Sequence, residues 1–328
     1  LSKKEATNSY KSFSTIAPYF GIKTSDYWHV DYQIVPNNNF DYYWNLEEKY
    51  IGFNGEYDES GIPLYKGIDG KKHYSVIFLG HYALGAFQHF KQTKTIKSKD
   101  DFLLICDFLV DNLTTFKDCD GLWVNTYPMK LYGLKSDWVS GLSQAKGVSC
   151  LVRAYYLTQD PKYLAAAIRA SNAFFTNAAC GGVCVSGNNL EIFEEYPTDS
   201  PSMVLNGHIF AIFALNDLVR IHEIQDISSH NIRKIKDKLY SSILELSRNL
   251  NLWENKRWSK YDCWAKHDHI ASLFYHDLHI KQFFILYQIS SLPEFLETGL
   301  KWKEYRDNPL NRLKALLYKV FFRLAGRL

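Results

Sequence analysis

Ile209-Phe210-Ala211-Ile212-Phe213-Ala214-Leu215 is apolar on every side of a helical wheel, whereas Asn231-Ile232-Arg233-Lys234-Ile235-Lys236-Asp237-Lys238 keeps only a narrow apolar stripe. A helix apolar all round must be enclosed by protein; one with a stripe lies outside, with its charges in water. The same contrast recurs along the chain. Ser75–Gln92 is followed by Lys99–Phe116, Gly141–Thr158 by Pro161–Asn177, Met203–His222 by Ser229–Leu250, and Ser272–Ser290 by Pro293–Trp302. Pro161 and Pro293 stand where a helix begins and a missing N–H costs nothing. A period of roughly forty to sixty residues predicts stacked helical hairpins. One inner and one outer helix per hairpin predicts a mainly α fold, an α/α toroid, that is, an incomplete barrel of hairpins.

Outward from that core the pattern changes. Residues 1–72 are polar and aromatic, and the run Tyr27-Trp28-His29-Val30-Asp31-Tyr32-Gln33-Ile34-Val35-Pro36 alternates like a strand before the turn residues Asn37-Asn38-Asn39. This predicts a small β-rich N-terminal region, followed by the toroid over 73–305. Long loops at 119–138, 180–202 and 253–271 separate the hairpins and are the expected seat of functional residues. At the other end, Leu310, Leu313, Leu317, Val320, Phe321, Leu324 and Leu328 recur at helical spacing. Arg312, Lys314, Lys319, Arg323 and Arg327 accompany them, and no acid follows Asp307. Residues 306–328 therefore read as a basic amphipathic helix. It either lies on an anionic membrane surface as a peripheral contact or packs on its own domain or a twin subunit in a homodimer.

The chain has 328 residues, 38 Lys plus Arg against 35 Asp plus Glu, and a net charge of +3, so no positive field marks a nucleic-acid binder. Aromatic residues reach 16%, with 23 Tyr, and such rings serve a core and a sugar-lined groove equally. The six cysteines show no zinc spacing beyond Cys180/Cys184, and a chain of this length needs no disulfides, so a reducing, cytoplasmic setting is expected. No apolar run approaches the ~20 residues that span a bilayer. Dinucleotide, P-loop, zincin and nucleophile-elbow motifs are absent, and no organic cofactor or metal is expected.

The densest polar stretch is Glu194-Glu195-Tyr196-Pro197-Thr198, leading into Val204-Leu205-Asn206-Gly207. Before it stand Trp138, Gln144 and Leu151-Val152-Arg153-Ala154-Tyr155; after it come Tyr261-Asp262 and Tyr275-His276, His279-Ile280 and Gln282. In this order the four segments resemble the heparosan D-glucuronyl C5-epimerases, strongly over about 120–290 and faintly over 25–90. The resemblance implies an isomerase that inverts C5 of D-glucuronate to L-iduronate within a uronic-acid polysaccharide.

Such a reaction needs a base on one face of the ring and an acid on the other, with the substrate carboxylate neutralised so that C5 becomes acidic. Carried over by resemblance, Glu195 and Tyr275 are the acid/base pair, with Tyr196 and Tyr261 beside them. Free Glu and Tyr titrate near ~4.3 and ~10, so their surroundings must bring both toward neutrality. Asn206, Gln144, Arg153 and His276 are candidate substrate contacts, although Arg153 reads as readily as half of a buried ion pair between two helices, and His276, with His279, as a hydrogen-bonded core histidine. The family's Tyr-Asp-Leu-Arg-His reads here Tyr261-Asp262-Cys263-Trp264-Ala265, so Trp264 replaces an arginine. Its charge is then expected from Lys266 or Lys146, each a point charge without the bidentate fork. A β-eliminating polysaccharide lyase and a non-catalytic glycan binder are the competing readings.

Overall fold

The computed structural model describes residues 16–22, 33–35, 40–187, 190–225 and 230–325. Most of the strand-like run 27–36 and the turn 37–39 lie outside them. The chain divides into one unit of residues 34–249 and another of residues 250–328 with 1–33.

In the larger unit, α1 (Glu47–Ile51) packs on α2 (Val76–Thr93). Three hairpins follow: α2 with α3 (Ile96–Asp111), α4 (Gly141–Thr158) with α5 (Pro161–Ala170), and α6 (Leu205–Ile224) with α7 (His230–Arg248). The first helices stand side by side, α4 between α2 and α6. Burial follows the sequence pattern. In α6 every residue except Arg220, Glu223 and Ile224 is buried, whereas α7 buries the stripe Ile235, Leu239, Ile243 and Leu246. Close approach is built into the small residues. A Cβ on Gly80 of α2 would sit 2.6 Å from Cβ of Lys146 on α4, and one on Gly147 would lie 2.3 Å from the Trp123 ring. Across α4 and α6, Arg153 holds Asp217 through two bonds of 2.6 and 3.1 Å, and Tyr43 Oη donates to the same carboxylate at 3.0 Å.

The loops carry two-stranded antiparallel pairs: ahead of the first hairpin β1 (Tyr65–Lys66) with β2 (Lys72–His73), and between hairpins β3 (Thr114–Phe116) with β4 (Cys119–Leu122), β5 (Val124–Asn125) with β6 (Trp138–Val139), and β7 (Cys184–Gly187) with β8 (Leu190–Phe193). Two helices stop earlier than their periodicity implies. α3 ends at Asp111, and Thr114-Thr115-Phe116 joins β4 instead. α5 ends at Ala170, where the Ser171 hydroxyl donates to Ile168 O at 2.7 Å and a 3₁₀ turn takes over through Phe175.

The smaller unit holds β9 (Glu254–Asn255) with β10 (Trp258–Ser259), the hairpin α8 (Leu273–Ser290) and α9 (Pro293–Asp307), and α10 (Pro309–Leu324). Its core includes Tyr19, Trp258, Ile270, Leu273 and Ala315, to which α10 and a 3₁₀ turn at Ala17–Phe20 contribute. The cysteines are all free thiols.

Candidate active site

β8 ends at Phe193, and the next two residues have different tasks. Backbone bonds pin Glu194 to both neighbours: its N–H donates to Val183 O at 2.7 Å, and its carbonyl accepts from Gly141 N at 2.7 Å, at the start of α4. The Glu194 carboxylate then accepts from Ser202 N (3.1 Å), the Ser202 hydroxyl and Met203 N (3.0 Å). It ties down the turn ahead of α6, in which Met203 is held at φ +52°. Glu194 is therefore a structural clamp.

Glu195 is turned toward the first turn of α6. Its Oε2 accepts from Asn206 Nδ2 at 3.3 Å, and a Cβ on Gly207 would meet the same oxygen at 2.5 Å and Glu195 Cβ at 2.7 Å. Glycine at 207 leaves the space that this side chain occupies. Glu195 and Asn206 are both 2% exposed, so the carboxylate sits in a mostly dry setting where electrostatic effects are strong. The Tyr127 phenol is raised, by burial first, with the Glu195 charge among the further causes.

Beside Glu195 the rings form a wall. Tyr196 stacks on Tyr132 at 4.2 Å and 15°, Trp138 lies 5.7 Å from Tyr196, and Tyr127 lies 5.7 Å from Trp138. The Trp138 indole N–H is fixed by Tyr127 O at 2.8 Å. Tyr127 and Tyr132 were not expected from the sequence; the aromatic density of the 119–138 loop was the available signal.

The smaller unit brings together Tyr261 and Tyr275, edge to face at 4.7 Å. Tyr275 lies in the first turn of α8, where its N–H donates to the Ser272 hydroxyl cap at 3.3 Å, and its side chain is half-buried. Tyr261 is held by its N–H to His269 O at 2.7 Å. Trp264 is buried, with the exposed Lys266 ammonium 4.8 Å from its ring centre. Lys266 is thus a cation presented on an aromatic face.

One loop also carries Asp262, His267 and His269, whose ligand atoms lie within 4.8 Å of one another. Two imidazoles and a carboxylate are a donor set that a divalent transition ion accepts. Here they form a hydrogen-bonded chain: His269 Nδ1 meets Asp262 Oδ2 at 2.9 Å, and Lys319 Nζ meets His269 Nε2 at 2.9 Å. An ammonium can only donate, so the His269 proton lies on Nδ1, facing Asp262. The chain steadies the segment that holds Tyr261. The corresponding sequence signal is the Asp-x4-His-x-His spacing of residues 262–269.

Four residues expected to contact substrate have their polar ends engaged inside the protein. Arg153 is wholly buried, bonded to Asp217, Ser149 O and Asp41 O. Lys146 is wholly buried, its Nζ on Tyr42 Oη at 2.8 Å and 4.0 Å from the Phe210 ring centre, and burial pushes its ammonium well below the ordinary lysine range. Gln144 donates to Trp123 O at 3.1 Å. His276 accepts from Ser259 N at 3.2 Å, meets Trp302 O at 3.0 Å and stacks on Trp258 at 4.0 Å. Burial draws it down to about 3, so it is a neutral core ring. These four hold the scaffold, and of the two lysines Lys266 alone is presented to solvent.

Residues 117–304 match the family model described as D-glucuronyl C5-epimerase C-terminus. The chain is 32% identical over 157 residues to a D-glucuronyl C5-epimerase of Caenorhabditis elegans, covering 45% of this chain and 25% of that protein. It is 28% identical over 190 residues to an uncharacterized protein of Methanocaldococcus jannaschii, covering 56% of this chain and 57% of that one. It thus spans a quarter to rather more than half the length of these relatives. Among solved structures, the cellobiose 2-epimerase from Spirochaeta thermophila superposes with a TM-score of 0.53 at 9% identity, over 78% of this chain and 65% of that one. That likeness establishes the fold class, an α/α toroid. The family match takes in the Glu194–Gly207 stretch, the Tyr261-Asp262 pair and the α8 tyrosine, and the chain belongs to the D-glucuronyl C5-epimerase C-terminus family.

Proposed function

We propose that this chain is a uronate C5-epimerase, converting D-glucuronate to L-iduronate units in a heparosan-like polysaccharide. The supporting observation is the different setting of two adjacent glutamates: the Glu194 carboxylate ties down the Ser202–Met203 turn, while the buried Glu195 carboxylate lies against Gly207 and accepts from Asn206. A carboxylate so placed is available to take or return a proton. C5 lies next to the sugar carboxylate, and removing its hydrogen puts charge onto that group, so a nearby cation lowers the barrier. By the family resemblance, Glu195 and Tyr275 take the acid and base roles with Tyr196 and Tyr261 beside them in the motifs, and Lys266, presented on the Trp264 ring, is the candidate for the positive charge. Arrival of a new proton on the opposite face inverts the centre.

Incubation with heparosan in D₂O tests the reading. Nuclear magnetic resonance should find deuterium at C5 of uronate residues and iduronate signals. An unsaturated, ultraviolet-absorbing uronate would reveal elimination instead, and binding with neither product would mean a glycan-binding protein; either outcome overturns the proposal.

A further inference from the structure

α10 has two apolar faces. One is packed: Asn311, Ala315 and Phe322 are buried, Phe322 stacks on His269 at 4.6 Å, and Tyr318 and Lys319 reach inward to Asp268 O and His269. The other is bare. Leu310 (67% exposed), Leu313, Leu317, Val320, Phe321 (68%) and Leu324 (78%) all stand in solvent. At ~100° per residue these six fall within an arc of roughly 100°, opposite the packed face. Exposed cations lie to either side of the stripe, Lys314 on one and Arg323 on the other, while Arg312 is partly buried, and α10 contains no acidic residue. Lys319 is turned inward and adds nothing to this surface.

From this arrangement we infer that α10 docks the protein onto an anionic lipid bilayer, lying in the interface with the Leu310–Leu324 stripe in the acyl boundary and the flanking cations at headgroup depth. An apolar stripe bordered by cations on both sides is the shape that such an interface takes up. Charge decides among occupants. A second copy would set Lys314 and Arg323 against their own likenesses with no acid on the helix to answer them, whereas lipid phosphates neutralise both. None of the described helices is long and apolar enough to cross a membrane, so the contact is peripheral.

Sedimentation of the full chain with phosphatidylcholine vesicles, with and without phosphatidylglycerol, tests this. Binding should require phosphatidylglycerol and weaken as salt rises. The double variant Phe321→Ser/Leu324→Ser should lower vesicle affinity on the order of a hundredfold, since both chains are exposed and leave the core intact. Lys314→Glu/Arg323→Glu should do likewise through charge. Light scattering on the same proteins supplies the contrary outcomes. A dimer that Phe321→Ser/Leu324→Ser dissolves, without vesicle binding, would assign the face to a second copy and overturn the inference; so would a monomer that ignores both vesicle types.

Discussion

At the scale of single residues, the decisive contact is between Gly207 and Glu195. A methyl at 207 would fall 2.5 Å from the Glu195 oxygen, so Gly207→Ala must displace the carboxylate or the start of α6. Misplacement of about 1 Å costs on the order of a hundredfold in rate. Gly207→Ala should therefore lose about that factor in kcat for C5 exchange while its circular dichroism is unchanged; exchange at the parent rate would mean that this carboxylate does not act. The candidate site was legible in part. The motif stretch announced a functional glutamate, but which of Glu194 and Glu195 is the clamp depends on a turn eight residues away. Arg153 could be read as half of a buried ion pair between helices, but its partner could not: Asp217 lies 64 positions on, and no local pattern announces it.

At the scale of elements, that pair joins α4 to α6. Removing one partner of a buried ion pair leaves the other charge dry and uncompensated, at a cost of about 3–5 kcal/mol. Arg153→Met should lower the urea unfolding free energy by that amount, and the double variant Arg153→Met/Asp217→Leu should recover much of it. A loss under about 1 kcal/mol would show the pair to be dispensable. The hairpins themselves are readable because their signals are local: the prolines at 161 and 293 and the apolar periodicity. The early ends of α3 and α5 are not. Thr114-Thr115-Phe116 continues an apolar pattern, yet its backbone is claimed by β4, a contact that exists only after folding. The strand pairs, two to four residues long, are likewise fixed by the helices they connect rather than by propensity.

At the scale of the whole molecule, stability should depend on acidity through buried neutral histidines. His208, which accepts from Phe193 N at 3.1 Å, and His276 are both drawn by burial to about 3. Below the ordinary histidine value near ~6.5, the unfolded chain takes up protons that the folded rings refuse. The unfolded state then binds more protons, and stability falls as pH drops from there toward 3. Each ring contributes a slope of about 1.4 kcal/mol per pH unit over that window. Melting temperatures should decline steadily between pH 6.5 and pH 4, and His208→Gln should flatten the decline even if it lowers the starting value. A slope unchanged in that variant would contradict the assignment.

The proposed movement of one hydrogen at a sugar carbon rests on the family match and on the setting of Glu195. The most direct test is the rate at which heparosan gains deuterium at C5 in D₂O, compared among the parent, Glu195→Gln and Tyr275→Phe, with polymer retention measured alongside. Steady incorporation by the parent, with both variants binding the polymer but exchanging at least about a thousandfold more slowly, is the predicted result. Equal exchange by all three, or none by the parent despite binding, would contradict it.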